Sequence, residues 1–110
     1  MADETGPGDP RIAHIVFFTL KDPSDENIAA LVASCHEYLD GHPGVLFYAA
    51  GPRGEAFTRP VNDAEYHVGL HVVFENRAAH DAYQVSDRHV TFVESSKPTW
   101  ASIRVFDSLV

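Results

Sequence analysis

The chain has little that would let it form cross-links, bind polyanions or enter a membrane. Cys35 is the only cysteine among 110 residues, so no disulfide can form within the chain. Lysine and arginine number 8 against 16 acidic residues, and the net charge of -8 disfavours nucleic acid and anionic membranes as partners. The sequence has neither an apolar run of about 18 residues nor a leader-like start. We therefore expect a soluble, cytoplasmic protein.

The N-terminal residues differ in composition from the rest of the chain. Residues 1–10 contain Gly6, Pro7, Gly8 and Pro10, three acidic residues and almost nothing apolar. Burial in such a segment cannot offset the entropy that ordering costs. We predict a mobile tail over residues 1–10 and one folded domain over residues 11–108, a length that suits a single hydrophobic core.

Apolar periodicity predicts the element order β-α-β-β-α-β. Residues 12–20 are β-branched or aromatic on both alternating faces, which is typical of a strand that is covered on both sides. Asp22 as an N-cap and Pro23 at the first helical position predict a helix over residues 24–40, which Gly41 ends. The other strands are predicted at residues 45–50, 66–74 and 101–106, and the other helical segments at residues 77–85, capped by Asn76, and 87–95.

This order is typical of a ferredoxin-like α+β sandwich, in which a four-stranded antiparallel sheet carries its helices on one face. The other face is open, and apolar side chains there would be hydrated at a cost of roughly 25 cal/mol per Å². We expect two copies to pack these faces together as a homodimer, a dimeric α/β barrel. The predicted dimer-interface residues are Ile15, Phe17, Thr19, His67, His71 and Val73.

Short motifs follow one another in a specific order. They are His14-Ile15-Val16, Val72-Val73-Phe74-Glu75, Ala82-Tyr83-Gln84-Val85, His89, Phe92-Val93, Trp100 and Phe106-Asp107. Over residues 12–107 this order resembles the stress-responsive A/B barrel (Dabb) domain family. The resemblance implies the ferredoxin-like fold and a homodimer, but it implies little about activity, because most members have no established reaction.

The resemblance also points to one pair of site residues. Some plant members of the family are polyketide cyclases that use a tyrosine and a histidine matching Tyr83 and His89. The family often has His-Pro just ahead of that histidine, whereas this chain has Ser86-Asp87. Serine and aspartate still suit a helix start, but they remove the polar contact that a histidine there could make in the pocket.

Tyr83 and His89 are the candidate catalytic pair. An imidazole titrates near neutral pH and can act as a general base, while a tyrosine hydroxyl can donate to a developing enolate. In the alternative interpretation, His89 supports a turn between helices and Tyr83 belongs to the core. An enclosed pocket of about 300 Å³ or more would favour ligand chemistry, and a filled core would favour the alternative. The candidate binding residues of that pocket are His14, Val16, Phe18, Val68, Leu70 and Trp100.

Other reactive side chains have simpler explanations. His14 is either a pocket residue or a buried histidine with its hydrogen bonds satisfied. His67 and His71 are separated by roughly 13 Å on a regular strand, which is too far for one metal ion. Cys35 falls in the apolar stripe of the first helix, as a core residue would. We predict no metal site and no cofactor.

Three function classes remain open. The first is a binding protein for a small, largely apolar molecule, with acid/base chemistry like that of a lyase or cyclase. The second is a stress-associated structural dimer without turnover. The third, by analogy with other dimeric ferredoxin-like barrels, is a cofactor-independent monooxygenase or an isomerase.

Overall fold

Four strands form one antiparallel sheet in the computed structural model, which describes residues 9–110. The tail predicted over residues 1–10 falls largely outside the described residues. In chain order, the elements are β1 (Ile12–Leu20), α1 (Asp25–Leu39), β2 (Val45–Pro52), β3 (Val68–Phe74), α2 (Arg77–Val85), α3 (Asp87–Ser96), a 3-10 turn (Lys97–Thr99) and β4 (Trp100–Leu109). The sheet order is β2-β3-β1-β4, which confirms the ferredoxin-like α+β fold.

β1 is a central strand whose two faces differ in burial. The residues from Ile12 to Leu20 alternate strictly between buried and partly buried, and the buried ones face the helices. The core lies between the sheet and the helices, where Phe18, Leu39 and Phe74 are at most 1% exposed. The helices and the core therefore cover one of the two apolar faces of β1.

The open face of the sheet carries a continuous apolar surface. Ile15 is paired with His71 of β3 on one side and with Phe106 of β4 on the other. The Phe17 ring packs 5.9 Å from that of Phe106 and 4.7 Å from that of Tyr66. Five predicted interface residues lie in β1 or β3 and are partly buried: Ile15, Phe17, Thr19, His71 and Val73.

His67 lies at the end of this face rather than within it. β3 begins one residue later, at Val68, and not at residue 66 as predicted. The His67 amide donates to the Phe18 carbonyl at 2.8 Å, and its Nδ1 accepts from the Leu20 amide at 3.0 Å. This side chain therefore ties the loop before β3 to the end of β1.

The N-cap of α1 lies two residues later than predicted. Ser24, not Asp22, is the N-cap, because its hydroxyl accepts from the Asn27 amide at 3.1 Å. Asp22 contributes its backbone carbonyl, which accepts a hydrogen bond from the side-chain amide of Asn27 at 2.9 Å. At the other end Gly41 has φ +79°, as expected of a glycine that ends a helix.

Ser86 joins α2 to α3 and caps both of them. Its amide donates to the Tyr83 carbonyl at 3.2 Å, and its hydroxyl donates to the same oxygen at 2.9 Å. The same hydroxyl accepts from the His89 amide at 3.2 Å. One serine thus fixes the positions of the two candidate catalytic residues relative to each other.

The remaining boundaries differ modestly from the predictions. β2 and β4 both extend beyond the predicted ends, to Pro52 and Leu109, because neighbouring strands continue the pairing. Asn76 caps α2 as predicted and accepts from the Ala79 amide at 2.9 Å. Within residues 9–110, no helix has both the length and the apolar character needed to cross a membrane.

Candidate functional site

A small cavity of about 130 Å³ lies between the sheet and the helices. Its lining residues are His14, Val16, Phe18, Leu39, Leu70, Tyr83, Gln84, His89, Phe92, Val93, Trp100, Ile103 and Val105. Of the predicted pocket residues only Val68 is absent, since it is fully buried in the core near the end of β2. The volume is below the value of about 300 Å³ that is usual for ligand pockets. It is close to that of an engineered cavity of about 150 Å³ that binds benzene.

The Tyr83 hydroxyl is buried and has no hydrogen-bond partner among the described residues. Its ring packs on those of His42, His89 and Phe74, with centroids 4.9, 4.7 and 5.0 Å away. Burial raises the pKa of Tyr83 above its ordinary value, so the hydroxyl stays protonated. A buried donor without a partner costs about 1–3 kcal/mol, which a ligand that accepts its hydrogen bond would recover.

His89 lies in the first turn of α3, half-buried beside Tyr83. Burial lowers the pKa of His89 below its ordinary value, and the nearby His14 and His42 lower it further. The imidazole is therefore neutral at neutral pH. In that state one ring nitrogen can accept a proton, as a general base must.

Trp100 gives the cavity wall a second buried donor. Its Nε1 lacks a partner within residues 9–110, as the Tyr83 hydroxyl does. The indole packs on Phe18 and Phe92, at centroid distances of 5.0 and 6.0 Å, and this packing fixes its orientation. Two unpaired donors beside an apolar cavity suit an apolar ligand that carries hydrogen-bond acceptors.

The cavity adjoins an open groove on the surface. The groove has a volume of about 690 Å³ and shares Val93, Trp100 and Ile103 with the cavity wall. These three side chains therefore lie between the groove and the space beside Tyr83 and His89.

The sequence left open whether His14 is a buried, hydrogen-bonded histidine or a pocket residue. In the structure it is buried and also lines the cavity. It is 5% exposed, and its Nδ1 and Asp107 Oδ1 are 2.5 Å apart. Asp107 lies directly opposite on β4, and the His80 ring on α2 is 5.3 Å from that of His14. Neither Asp107 nor His80 was assigned a role from the sequence, since only β-strand register and helix docking bring them together.

His42 is a further neighbour that sequence reasoning missed. It is 7% exposed, and its Nε2 donates to the Tyr38 carbonyl at 2.7 Å. It follows Gly41, the helix-ending glycine, so its position beside Tyr83 depends on how α1 ends. The position of His42 directly after this glycine is a signal in the sequence, but it does not reveal that the imidazole packs on Tyr83.

One family model matches nearly the whole chain. The model of the family described as Stress responsive A/B Barrel Domain matches residues 12–110. Comparison of the sequence with curated proteins gave no match.

Solved structures share the fold over nearly the whole chain. A Dabb family protein with a ferredoxin-like fold from Mesorhizobium loti is 25% identical, with a TM-score of 0.77 over 93% of this chain and 98% of that one. A dimeric ferredoxin-like protein of unknown function from Thermobifida fusca is 14% identical, with a TM-score of 0.77 over 100% of both chains. A hydroxynitrile lyase from Passiflora edulis is 17% identical, with a TM-score of 0.73 over 94% of this chain and 95% of that one.

Proposed function

The chain belongs to the stress-responsive A/B barrel domain family, and from that premise we propose that its homodimer binds a compact, largely apolar molecule in the cavity between sheet and helices. The observation that carries the proposal is the buried hydroxyl of Tyr83 on the cavity wall, which has no hydrogen-bond partner in the part of the chain that the structure describes. A core that had only to be packed would be better filled by phenylalanine at this position, which leaves no unpaired donor.

The cavity limits the size and chemistry of the ligand. A volume of about 130 Å³ suits a molecule of about one aromatic ring. The aliphatic and aromatic walls favour an apolar body, while the donors of Tyr83 and Trp100 favour an oxygen acceptor. A small aldehyde or ketone combines these properties.

Acid/base chemistry follows from the protonation states of the pair. His89, neutral at neutral pH, would accept a proton from a hydroxyl group or from a carbon next to a carbonyl. Tyr83, protonated, would donate to the ligand oxygen on which negative charge develops. This is chemistry of the lyase or cyclase type, and the likeness to the Passiflora edulis hydroxynitrile lyase supports that class.

The homodimer is proposed from the open face of the sheet. Phe47 and Phe106 are 56% and 51% exposed in the single chain, where Phe47 is paired with Val73 and Phe106 with Ile15. Packing this face on its counterpart would remove these rings from water. The dimeric ferredoxin-like protein from Thermobifida fusca, whose chain this one matches along its full length, supports the same assembly.

A binding experiment can isolate the Tyr83 hydroxyl. Benzaldehyde and toluene are probes of nearly equal size, and only benzaldehyde carries an oxygen acceptor. We expect wild type to bind benzaldehyde about tenfold more tightly than toluene, and Tyr83→Phe to lose that preference, as one hydrogen bond predicts. Chemical-shift titration of the cavity residues gives both dissociation constants.

Tyr48→Phe is the matched control. It removes the same atom, but the Tyr48 hydroxyl pairs with His36 Nδ1 at 3.0 Å, away from the cavity. The control should keep the preference for benzaldehyde. If wild type does not distinguish the two probes, or if Tyr48→Phe and Tyr83→Phe behave alike, the proposed site is wrong.

A second candidate function, a structural dimer without turnover, is favoured by the small volume of the cavity. Tyr83 also packs within an aromatic cluster that includes Phe74, His42 and His14. In that case Tyr83→Phe should stabilise the protein, since the change removes an unpaired buried hydroxyl and keeps the ring. A higher midpoint of unfolding without any probe binding would support this candidate.

A further inference from the structure

Two imidazoles and a carboxylate from three separate elements meet beside the cavity. His14 lies on β1, Asp107 on β4 and His80 on α2, and one potential ligand atom from each lies within 4.8 Å of the others. We propose that these three residues bind one divalent transition-metal ion, for which Zn²⁺ is the best fit. Nitrogen and carboxylate oxygen are the ligands that zinc accepts, and three protein ligands leave one position open for water or another ligand.

The surroundings of His80 support the assignment. Its Nδ1 donates to Asp81 Oδ1 at 2.9 Å, and Arg77 Nε holds the same oxygen at 3.0 Å. Histidines that bind metals usually bond a carboxylate through their other ring nitrogen, which fixes the ring and its tautomer. With Nδ1 bound to Asp81, the free nitrogen of His80 is Nε2, which is then available to an ion.

The distances require only a small adjustment. Two zinc bonds of about 2.1 Å span at most about 4.2 Å, so the outermost atoms, now within 4.8 Å, must move slightly inward. His14 Nδ1 and Asp107 Oδ1, at 2.5 Å, are hydrogen-bonded and would separate as an ion takes the place of their proton. The Asp107 side chain is 45% exposed and can rotate, and its exposure gives an ion a path from solvent.

A simple hydrogen bond between His14 and Asp107 accounts for only part of this arrangement. It gives no role to His80, whose side chain is 16% exposed and whose ring meets that of His14 edge-on. The expectation of no metal site rested on His67 and His71, which share a strand region. Register and helix docking place a different set of ligands together.

The test is a metal titration of the tag-free full chain. Zn²⁺ is followed by calorimetry and Co²⁺ by its visible absorption, both in the presence of millimolar Mg²⁺, because a net charge of -8 attracts cations without a defined site. We expect one ion per chain. His80→Ala and Asp107→Asn should each weaken Zn²⁺ binding at least tenfold, and Asp81→Asn about tenfold, since it removes only the partner of a ligand.

His36→Ala and His71→Ala are the matched controls, since they remove histidines that lie outside the cluster. Both should keep wild-type affinity. Zn²⁺ should also raise the melting temperature of wild type and of His71→Ala, but not that of His80→Ala. If His80→Ala does not fold, His80→Gln, which keeps most of the side-chain volume, takes its place.

Three results would overturn the proposal. They are the absence of stoichiometric binding, unchanged affinity in the folded His80 or Asp107 variants, and equal losses in the two control variants. None of them depends on the cavity ligand, so the metal site and the proposed function can fail separately.

Discussion

At the scale of single residues, the proposed function depends on two side chains whose protonation is set by burial. Tyr83 remains a donor because burial raises its pKa, and His89 remains an acceptor because burial lowers its pKa. The two shifts keep both groups neutral, so neither charge has to be accommodated in an apolar cavity. Neutral groups with opposite proton affinities are what proton transfer at neutral pH requires.

The pKa of His89 can be measured directly. We expect its ring protons to titrate with a midpoint below about 6.5, the ordinary value for histidine, in a pH series followed by NMR. His89→Asn identifies the resonance by its loss. Because the folded-state pKa is lowered, the free energy of unfolding should be highest above about pH 6.5 and fall as the pH drops toward the folded-state pKa. A midpoint above the ordinary value would contradict the proposed role as a base.

The sequence was informative about which residues are candidates for the site and uninformative about the residues that they contact. Tyr83 and His89 were found because they match a family motif, and they lie side by side in the structure. Asp107 belongs to the motif Phe106-Asp107, but its contact with His14, 93 positions away in sequence, depends on the register between β1 and β4. Long-range register is not encoded in a local pattern.

At the scale of elements, the junction of α2 and α3 controls the geometry of the site. Ser86 is the C-cap of one helix and the N-cap of the next, and both hydrogen bonds of its hydroxyl involve Tyr83 or His89. Residues 86 and 87 are where the chain departs from the frequent His-Pro of its family. In place of the family's histidine and proline, this chain therefore has a serine that caps both α2 and α3.

Removing the Ser86 hydroxyl should destabilise this junction. We expect Ser86→Ala to lower the free energy of unfolding by about 1–2 kcal/mol, which is typical for loss of an N-cap. Ser95→Ala is the control, because the Ser95 hydroxyl bonds only carbonyls within α3 and a helix tolerates alanine there. Urea unfolding of both variants measures the difference. Equal values for the two serines would show that the cap is not needed.

Helix starts show what local sequence can and cannot decide. Asn76 was identified as a cap, and no competing residue stands beside it. At α1, Asp22 and Ser24 both have side chains that could cap the helix, and Ser24 is the one whose hydroxyl accepts from the Asn27 amide. The choice depends on the angle at which the chain leaves β1, which the sequence pattern does not specify.

At the scale of the whole molecule, the single chain leaves the apolar open face of the sheet exposed to water. Burying a charge there should break the proposed homodimer, since an unpaired buried charge costs several kcal/mol. We expect sedimentation at micromolar concentration to show a dimer for wild type and a monomer for Phe17→Asp.

Phe57→Asp is the control for that experiment. Phe57 is 69% exposed and lies in the loop between β2 and β3, so the same substitution there should leave the dimer intact. A monomeric wild type would contradict the proposed homodimer. A Phe17→Asp variant that remains dimeric would show that the interface lies elsewhere.

The fold and the apolar open face could be predicted because they follow from periodicity, and the family motif made Tyr83 and His89 the candidate catalytic pair. The cavity volume could not, since it depends on how Phe18, Phe92 and Trp100 pack against one another. Cavity volume is the difference between large packed volumes, and a single rotamer changes it.

A crystal structure of the protein grown with benzaldehyde tests the central claim most directly. The account predicts the aldehyde in the cavity, with its oxygen within about 3.2 Å of the Tyr83 hydroxyl oxygen and its ring against Phe18 and Leu70. A cavity that stays without ligand at saturating benzaldehyde, or an aldehyde oxygen that points away from Tyr83, would contradict it.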